Sequence, residues 1–144
     1  MTTTINRYSA CTRGLHSDGQ QTASLADADW PRAIIAGAYR TGVLGVRSLV
    51  RRNVHATLFD CDPAMPGFRS VYGPSRLCPN PDSDPDAWER FMLDLATEYD
   101  RPPVLIASAD QFVTAIFRHA EVLRAHYVLS SGIALHGALA EKRV

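Results

Sequence analysis

The sequence predicts an α/β domain, Rossmann-like, with an open, mostly parallel sheet of about five strands and helices on both faces. From residue 30 onward, short apolar runs alternate with segments of helical period, as in layered α/β domains. The resulting order of segments, βαββαβαβα, favours parallel strands joined by right-handed crossovers. Residues 1–29 contain eight serine and threonine residues and few large apolar ones, so we expect a flexible leader before a domain over residues 30–144.

The first strand, helix and second strand are predicted over residues 32–36, 42–52 and 54–59. Both strand segments are apolar, as expected for strands that are buried on both faces of a parallel sheet. The helical segment carries one apolar stripe, Val43, Val46, Leu49 and Val50. Asn53 suits the left-handed conformation that ends many helices.

The middle of the chain predicts an irregular segment and then a well-marked helix. Residues 61–81 are proline-rich, with a short third strand around residues 76–78. Asp84 and Pro85 match an N-cap followed by proline at the first helical position. The apolar stripe of this helix is Trp88, Met92, Leu95 and Tyr99.

The last part of the chain continues the same alternation. Residues 104–107 form a fourth apolar strand. Ser108 and Gln111 then match a capping box that opens the next helix. A short fifth strand over residues 127–129 and a final helix over residues 133–143 complete the predicted domain.

Composition excludes several classes of function. The chain has 15 Lys and Arg against 15 Asp and Glu, and without a basic field we expect neither nucleic acid nor a membrane as partner. No apolar run approaches the roughly 20 residues of a bilayer span. Three cysteines without CxxC spacing favour a reducing compartment, so a cytoplasmic protein is expected.

Three loops form the candidate site, because open parallel sheets bind ligands outside the carboxyl ends of their strands. They are residues 37–45, 60–63 and 108–111. Glycines in the first loop permit close backbone approach, and the amide groups that begin the next helix suit an anion. The candidate substrate-binding residues are Gly37, Gly42, Gly45, Asp60, Ser108 and Asp110.

Each candidate residue also has a purely structural alternative. The glycines also fit a tight turn and close helix packing. Asp60 either binds a ribose hydroxyl or ends a strand in a solvated turn. Ser108 and Asp110 are explained first as helix-capping residues. The sequence alone leaves these alternatives open.

The motifs of well-known nucleotide and metal sites are absent from the sequence. Arg40 stands where a dinucleotide fingerprint needs its first glycine, and Val43 and Leu44 stand where a Walker A loop needs lysine and a hydroxyl residue. The histidines lie in no HExxH or similar cluster, and no GxSxG elbow occurs. The residues alone therefore predict a small nucleotide- or metabolite-binding domain with no metal site and no catalytic group of its own.

Four segments, in this order and spacing, carry a resemblance to a known family: GVLGVRSLVRRNVHATLFDCDPAMPGFRSVY, PNPDSDPDAWERFMLDLA, RPPVLIASADQFV and ALAEKRV. From residue 32 to its end the chain resembles the N-terminal, pre-ATP-grasp domain of ATP-grasp carboxylate–amine ligases. The resemblance implies a Rossmann-like domain that helps to hold the carboxylate or amine substrate. In such ligases two further domains bind ATP and Mg²⁺, ATP turns a carboxylate into an acylphosphate, and an amine attacks it to form an amide.

The resemblance also implies residue roles. Gly37, Gly42 and Gly45 would form the glycine loop of the family. Lys142 would match a lysine that reaches ATP phosphates, although Glu141 stands where an aspartate is common. The two ATP-grasp domains, absent from the 144 residues, are the expected partners in cis or trans. We therefore expect no bound cofactor and no ligase turnover from this chain alone.

Two other functions remain open, and so does a homodimer. A stand-alone nucleotide- or metabolite-binding module would use the first βαβ unit and Asp60, and tight NAD binding would identify it. A non-catalytic interaction protein would dock through the face that the ATP-grasp domains cover in the family. That face would be unusually apolar if the chain derives from a larger enzyme.

Overall fold

The computed structural model describes residues 29–130 of the chain. Within this range five strands form one sheet in the order β3-β2-β1-β4-β5, and each neighbouring pair is parallel. The strands are β1 (Ala33–Ala36), β2 (Ala56–Asp60), β3 (Ser75–Leu77), β4 (Val104–Ala107) and β5 (Val128–Leu129). The predicted open α/β sheet is therefore confirmed.

Helices connect these strands in the predicted order. They are α1 (Arg40–Val50), α2 (Pro85–Ala96), α3 (Asp110–Arg118) and α4 (Ala120–Leu123), with a short 3-10 helix over Pro66–Arg69 between β2 and β3. The final helix predicted over residues 133–143 lies outside the described residues, as does the predicted leader up to residue 28. Among residues 29–130, no helix combines the length and apolar content that crossing a bilayer requires.

Helix α1 begins and ends two residues earlier than the sequence predicted. It starts after Tyr39, so its first turn contains Arg40 and Gly42. At its far end Asn53 adopts φ +61°, and the amide of Val54 donates to the carbonyl of Leu49 at 3.0 Å. The left-handed role predicted for Asn53 is confirmed, because this turn satisfies carbonyl groups left open at the end of the helix.

The two faces of the sheet are covered unequally. The face that α2, α3 and α4 cover, called the α2 face, contains the larger core cluster, with Trp88, Phe59 and Phe112 fully buried. The rings of Phe59 and Phe112 meet edge to face at 5.5 Å. The opposite face, called the α1 face, carries a smaller cluster around Ile35 and Leu58. Most of the apolar burial that stabilises the fold therefore lies on the α2 face.

Candidate functional site

The carboxyl ends of β1 and β4 form the topological switch point of the sheet. These strands are neighbours, but the chain crosses from β1 to β2 on one side and from β4 to β5 on the other. The loops after β1 and β4 therefore diverge toward opposite faces, and open α/β sheets bind ligands in the crevice between such loops. Gly37 follows β1 and Ser108 follows β4, so the structure brings these two predicted residues together.

Gly37 and Ser108 are in direct contact at the switch point. The Ser108 hydroxyl lies 2.8 Å from the carbonyl oxygen of Gly37 and 3.1 Å from that of Ala36, and these two acceptors share its single proton. Gly37 has φ +111°, and a Cβ there would lie 2.6 Å from the Ser108 Oγ. Only glycine therefore fits this turn without displacing the hydroxyl.

The capping role predicted for Ser108 is wrong. Helix α3 begins after Ala109, and no side chain caps its first turn. The Ser108 hydroxyl is instead directed across the sheet to the β1 loop, because carbonyl groups of a neighbouring strand lie within its reach. Asp110 lies in the first turn of α3, where its negative charge interacts favourably with the positive end of the helix dipole.

Gly42 and Gly45 lie within helix α1 and not in a loop. A Cβ at Gly42 would lie 1.9 Å from the carbonyl oxygen of Gly37, and a Cβ at Gly45 would lie 2.9 Å from Ile35 Cδ1. Gly42 therefore allows α1 to pack closely on the β1 loop, and Gly45 allows it to pack closely on the sheet. The candidate segment 37–45 is thus a short turn followed directly by the helix that the sequence predicted from residue 42 and that begins at Arg40.

Asp60 is buried at the end of β2, with 4% of its surface exposed. Its Oδ2 accepts a hydrogen bond from the amide of Ala38 at 2.7 Å, and its Oδ1 accepts one from the amide of Asp62 at 3.0 Å. The solvated turn considered for Asp60 is therefore wrong. Because both oxygens are bonded to the backbone, Asp60 fixes the β1 loop to the end of β2.

These loops converge on Ala38, which the sequence analysis did not identify. Its amide is bonded to Asp60, and its carbonyl accepts a hydrogen bond from the amide of Gly67 at 2.8 Å. A Cβ at Gly67 would lie 2.7 Å from the Ala38 carbonyl oxygen and 2.3 Å from Leu58 Cδ2. The side chain of an alanine does not suggest a functional role in a sequence. The only sequence feature that pointed to this contact was the Pro66–Gly67 pair, which is typical of a turn.

Helices α1 and α3 both begin at the switch point without a side-chain cap. Their N-cap residues, Tyr39 and Ala109, have extended backbones, and neither side chain accepts a hydrogen bond from the helix. The first amide groups of a helix have no partner within the helix and lie at the positive end of its dipole. Two positive helix ends, one on each side of the sheet, therefore flank the crevice.

Charged side chains of both signs stand beside these helix starts. Arg40, in the first turn of α1, is exposed, and its guanidinium lies 5.8 Å from the ring centroid of Tyr39. Asp110, in the first turn of α3, is also exposed. The crevice can therefore offer a cation to a carboxylate and a carboxylate to an amine.

The two cysteines within the described range lie near this edge but are not activated. Cys61 follows β2 and Cys78 follows β3, and Gln111 Nε2 lies 3.6 Å from Cys61 Sγ. Burial, followed by the charge of Asp60, raises the pKa of the Cys61 thiol. Burial raises the pKa of Cys78 to about 12. Both are thiols at neutral pH, which disfavours a nucleophilic role because the thiolate is the reactive form.

The resemblance implies ATP and Mg²⁺, which bears on whether the described part of the chain contains a cluster of metal ligands. Among residues 29–130, no three His, Cys, Asp or Glu side chains group closely enough to bind a metal ion. Lys142, which the resemblance places near ATP phosphates, lies outside these residues. No step of a ligase reaction is therefore assigned to the described residues.

Two cavities open at the opposite, amino-terminal edge of the sheet. One, of about 230 Å³, is bordered by Arg32, His55 and Tyr72, among others. The other, of about 320 Å³, lies between Trp30 and Tyr99. None of the predicted site residues lines either of these two cavities.

Comparison with known proteins provides no assignment for this site. The sequence matches no protein-family model, and no curated protein shows significant similarity to it. The functional argument therefore rests on the fold and on the loops at the switch point.

Proposed function

We propose that this domain binds a small carboxylate- or amine-bearing metabolite at the switch point, as the substrate-side domain of an ATP-dependent carboxylate–amine ligase. One observation carries the proposal: β1 and β4 are neighbours whose connections leave in opposite directions. In open parallel sheets this arrangement marks the ligand crevice. The resemblance of the sequence to the pre-ATP-grasp domain supports the substrate class and the reaction.

The groups at the crevice suit a ligand that carries both charges, such as an amino acid. Its carboxylate would accept hydrogen bonds from the first amide groups of α1 or α3, where the helix dipoles favour negative charge. Arg40 adds a guanidinium, which pairs well with a carboxylate. The exposed carboxylate of Asp110 would bind the ammonium group.

Ser108 and Asp60 would act as positioning residues in this site. The Ser108 hydroxyl holds the carbonyls of Ala36 and Gly37, and the Asp60 carboxylate holds the amide of Ala38. These bonds hold the β1 loop from two sides. The first amide groups of α1 are therefore already oriented in the absence of a ligand. Such preorganisation lowers the entropy cost of binding.

Backbone amide chemical shifts of the full chain, followed by NMR during titration, test the proposal. L-Glutamate, β-alanine, NAD and ATP with Mg²⁺ are titrated separately. We expect an amino acid to shift the amides of residues 37–42 and 108–112 and to leave those of α2 unchanged. Shifts confined to the amino-terminal cavities, or none with either amino acid, would contradict binding at the switch point. Tight binding of NAD would favour the nucleotide-binding alternative.

A matched pair of arginine variants separates the site from general charge effects. Arg40→Gln removes the cation beside the crevice, whereas Arg90→Gln removes an exposed arginine on α2. We expect the first to weaken amino-acid binding about tenfold, or about 1.4 kcal/mol, and the second to leave it unchanged. Equal weakening by both variants would show that binding follows net charge and does not involve the crevice.

Formation of ADP tests the ligase part of the proposal. In the family, the reaction of ATP with the carboxylate and the amine requires Mg²⁺ and the ATP-grasp domains. We therefore expect the 144-residue chain to form no ADP above the level of its Lys142→Ala variant. ADP formation that depends on Lys142 would contradict the assignment as a substrate-side domain.

A further inference from the structure

Part of the α1 face carries exposed apolar side chains over β4 and β5. Strand register places Val104 beside Ala33, Ile106 beside Ile35, and Val128 beside Val104, so all three lie on the α1 face with Ala33 and Ile35. Ile106 is 39% exposed and Val128 is 50% exposed. We call Val104, Ile106 and Val128 the β4–β5 patch.

This exposure is unusual for the position of β4 in the sheet. β4 is an interior strand, paired with β1 on one side and β5 on the other. Parallel strands are normally covered on both faces, and the α2 face of the same two strands is covered: Leu105 is buried there, and Leu129 packs against the same cluster. Helix α1 joins β1 to β2, and among the strands it packs mainly on β1 and β2. It therefore leaves the α1 face of β4 and β5 less covered. An apolar segment packed over the patch would bury these side chains.

We propose that residues 131–144 of the same chain cover the β4–β5 patch. This segment follows β5 almost directly, since β5 ends at Leu129, and it therefore starts beside the patch at the edge of the sheet. The α2 face of β5 is already occupied by the larger core cluster. The α1 face is the free one, so a chain leaving β5 can bury its apolar residues there.

The length and composition of residues 131–144 fit this position. The helix predicted over residues 133–143 would be about 16 Å long, close to the roughly 13 Å of a four-residue strand such as β4. Leu135, Ala138 and Leu139 fall at helical spacing on one side of such a helix. Their small and medium side chains would allow close approach to the patch.

The leader is less suited to cover the patch. It joins the domain ahead of β1, at the amino-terminal edge of the sheet. Residues 1–29 contain eight serine and threonine residues and few large apolar ones, so they offer less apolar surface to bury. The proposal does not depend on the ligand site, because the patch lies on a sheet face and the crevice lies at the ends of the strands.

Methyl NMR of the full chain, with Ile, Leu and Val methyl groups labelled, tests the proposal directly. We expect nuclear Overhauser contacts from the Ile106 δ1 methyl to methyls of Leu135 or Leu139. The contacts should persist on dilution and should be absent between chains in a mixed sample of differently labelled protein. Contacts seen only between chains would show that a second copy covers the patch. Contacts to residues 1–28, or none from Ile106, would likewise overturn the proposal.

A matched pair of serine variants provides a second measurement. Leu139→Ser should increase hydrogen exchange of the Ile106 and Val128 amides about tenfold, because exchange reports the local free energy of opening. Val71→Ser removes an apolar side chain that is 79% exposed and precedes β3, at the opposite edge of the sheet from β5, and it should change neither amide. The proposal fails if Leu139→Ser leaves both exchange rates unchanged.

Discussion

The three longer helices within residues 29–130 begin in two different ways. Helix α2 has a local cap, since Asp84 Oδ1 accepts a hydrogen bond from the amide of Ala87 at 2.9 Å and Pro85 occupies the first position. Helices α1 and α3 begin after Tyr39 and Ala109, and neither residue provides a cap. The capped start lies on a connection at the edge of the sheet, and both uncapped starts lie at the switch point.

This difference shows where local and tertiary interactions each determine the structure. The start of α2 is satisfied by residues next to it in sequence. The turn before α1 is held instead by Ser108 and Asp60, which come from other strands. Those bonds fix the turn but use none of the first amide groups of α1, so these stay available to a ligand. Five predictions test this comparison, from the largest expected effect to the smallest.

Gly42→Ala should produce the largest loss of stability. Its Cβ would lie 1.9 Å from the Gly37 carbonyl oxygen, which is backbone and cannot rotate away. We expect a loss of about 3 kcal/mol in the free energy of unfolding, at the upper end for overpacking. Urea denaturation measures it. Gly45→Ala is the control, since its Cβ meets only the end of the Ile35 side chain; equal losses would contradict the role assigned to Gly42.

Asp60→Asn should weaken the link between β1 and β2. The amide group that replaces one carboxylate oxygen cannot accept a hydrogen bond, so the amide of Ala38 or of Asp62 loses its partner. We expect a loss of about 2 kcal/mol, typical of buried hydrogen bonds to charged groups. Asp62→Asn serves as the control, because Asp62 makes an exposed bond to the amide of Ala64 and should cost less than about 0.5 kcal/mol. The ranking fails if the two variants unfold at the same urea concentration.

Asp84→Ala should remove the local cap of α2. The amide of Ala87 would then lose its side-chain acceptor, with an expected cost of about 1 kcal/mol. Thermal unfolding measures the effect, and amino-acid binding at the switch point should be unchanged because α2 begins elsewhere. A loss of binding in this variant would show that the capped and uncapped helix starts are coupled.

Ala109→Ser should add the cap that α3 lacks. Ala109 has φ −142° and ψ 145°, an extended backbone that suits an N-cap serine, and we expect a gain of about 0.5 kcal/mol. If the first turn of α3 contacts the ligand, the new hydroxyl competes for the same amide groups and binding weakens. Greater stability with unchanged binding would place the ligand on α1 alone.

Alkaline pH should produce the smallest effect, through Cys78 at the end of β3. Burial in the folded protein raises the pKa of the Cys78 thiol to about 12, whereas its ordinary pKa is 9.0. The unfolded chain therefore binds fewer protons between these values, and the free energy of unfolding falls as pH rises above about 9. At pH 9 the loss is a few tenths of a kcal/mol. Cys78→Ala should flatten this dependence in urea denaturation between pH 7 and pH 9; an unchanged slope would exclude Cys78 as its source.

Some elements could be predicted closely from sequence because their signals are local. Asp84 and Pro85 marked the start of α2, and the four-residue apolar run 104–107 marked β4. Boundaries that depend on packing were less accurate. Helix α1 starts at Arg40, where the sequence suggested Gly42, and Gly42 lies so close to the Gly37 carbonyl that a Cβ would not fit there.

The site residues divide in the same way. The sequence located the loops after β1, β2 and β4, since each follows an apolar run. It did not reveal that Asp60 binds the amide of Ala38, or that Ser108 binds Gly37 and does not cap α3. Ala38 and Gly67 were missed altogether, because their contribution is made through backbone groups.

The sequence by itself determined the alternation of strands and helices, the parallel sheet and the order of its loops. Apolar periodicity and capping residues act over a few neighbouring positions, so they can be read directly. The tertiary structure alone decided how the loops are joined. Ser108 and Gly37 are 71 residues apart, and Asp60 and Ala38 are 22 apart, so only the pairing of the strands brings the hydroxyl and the carboxylate to the turn that they hold.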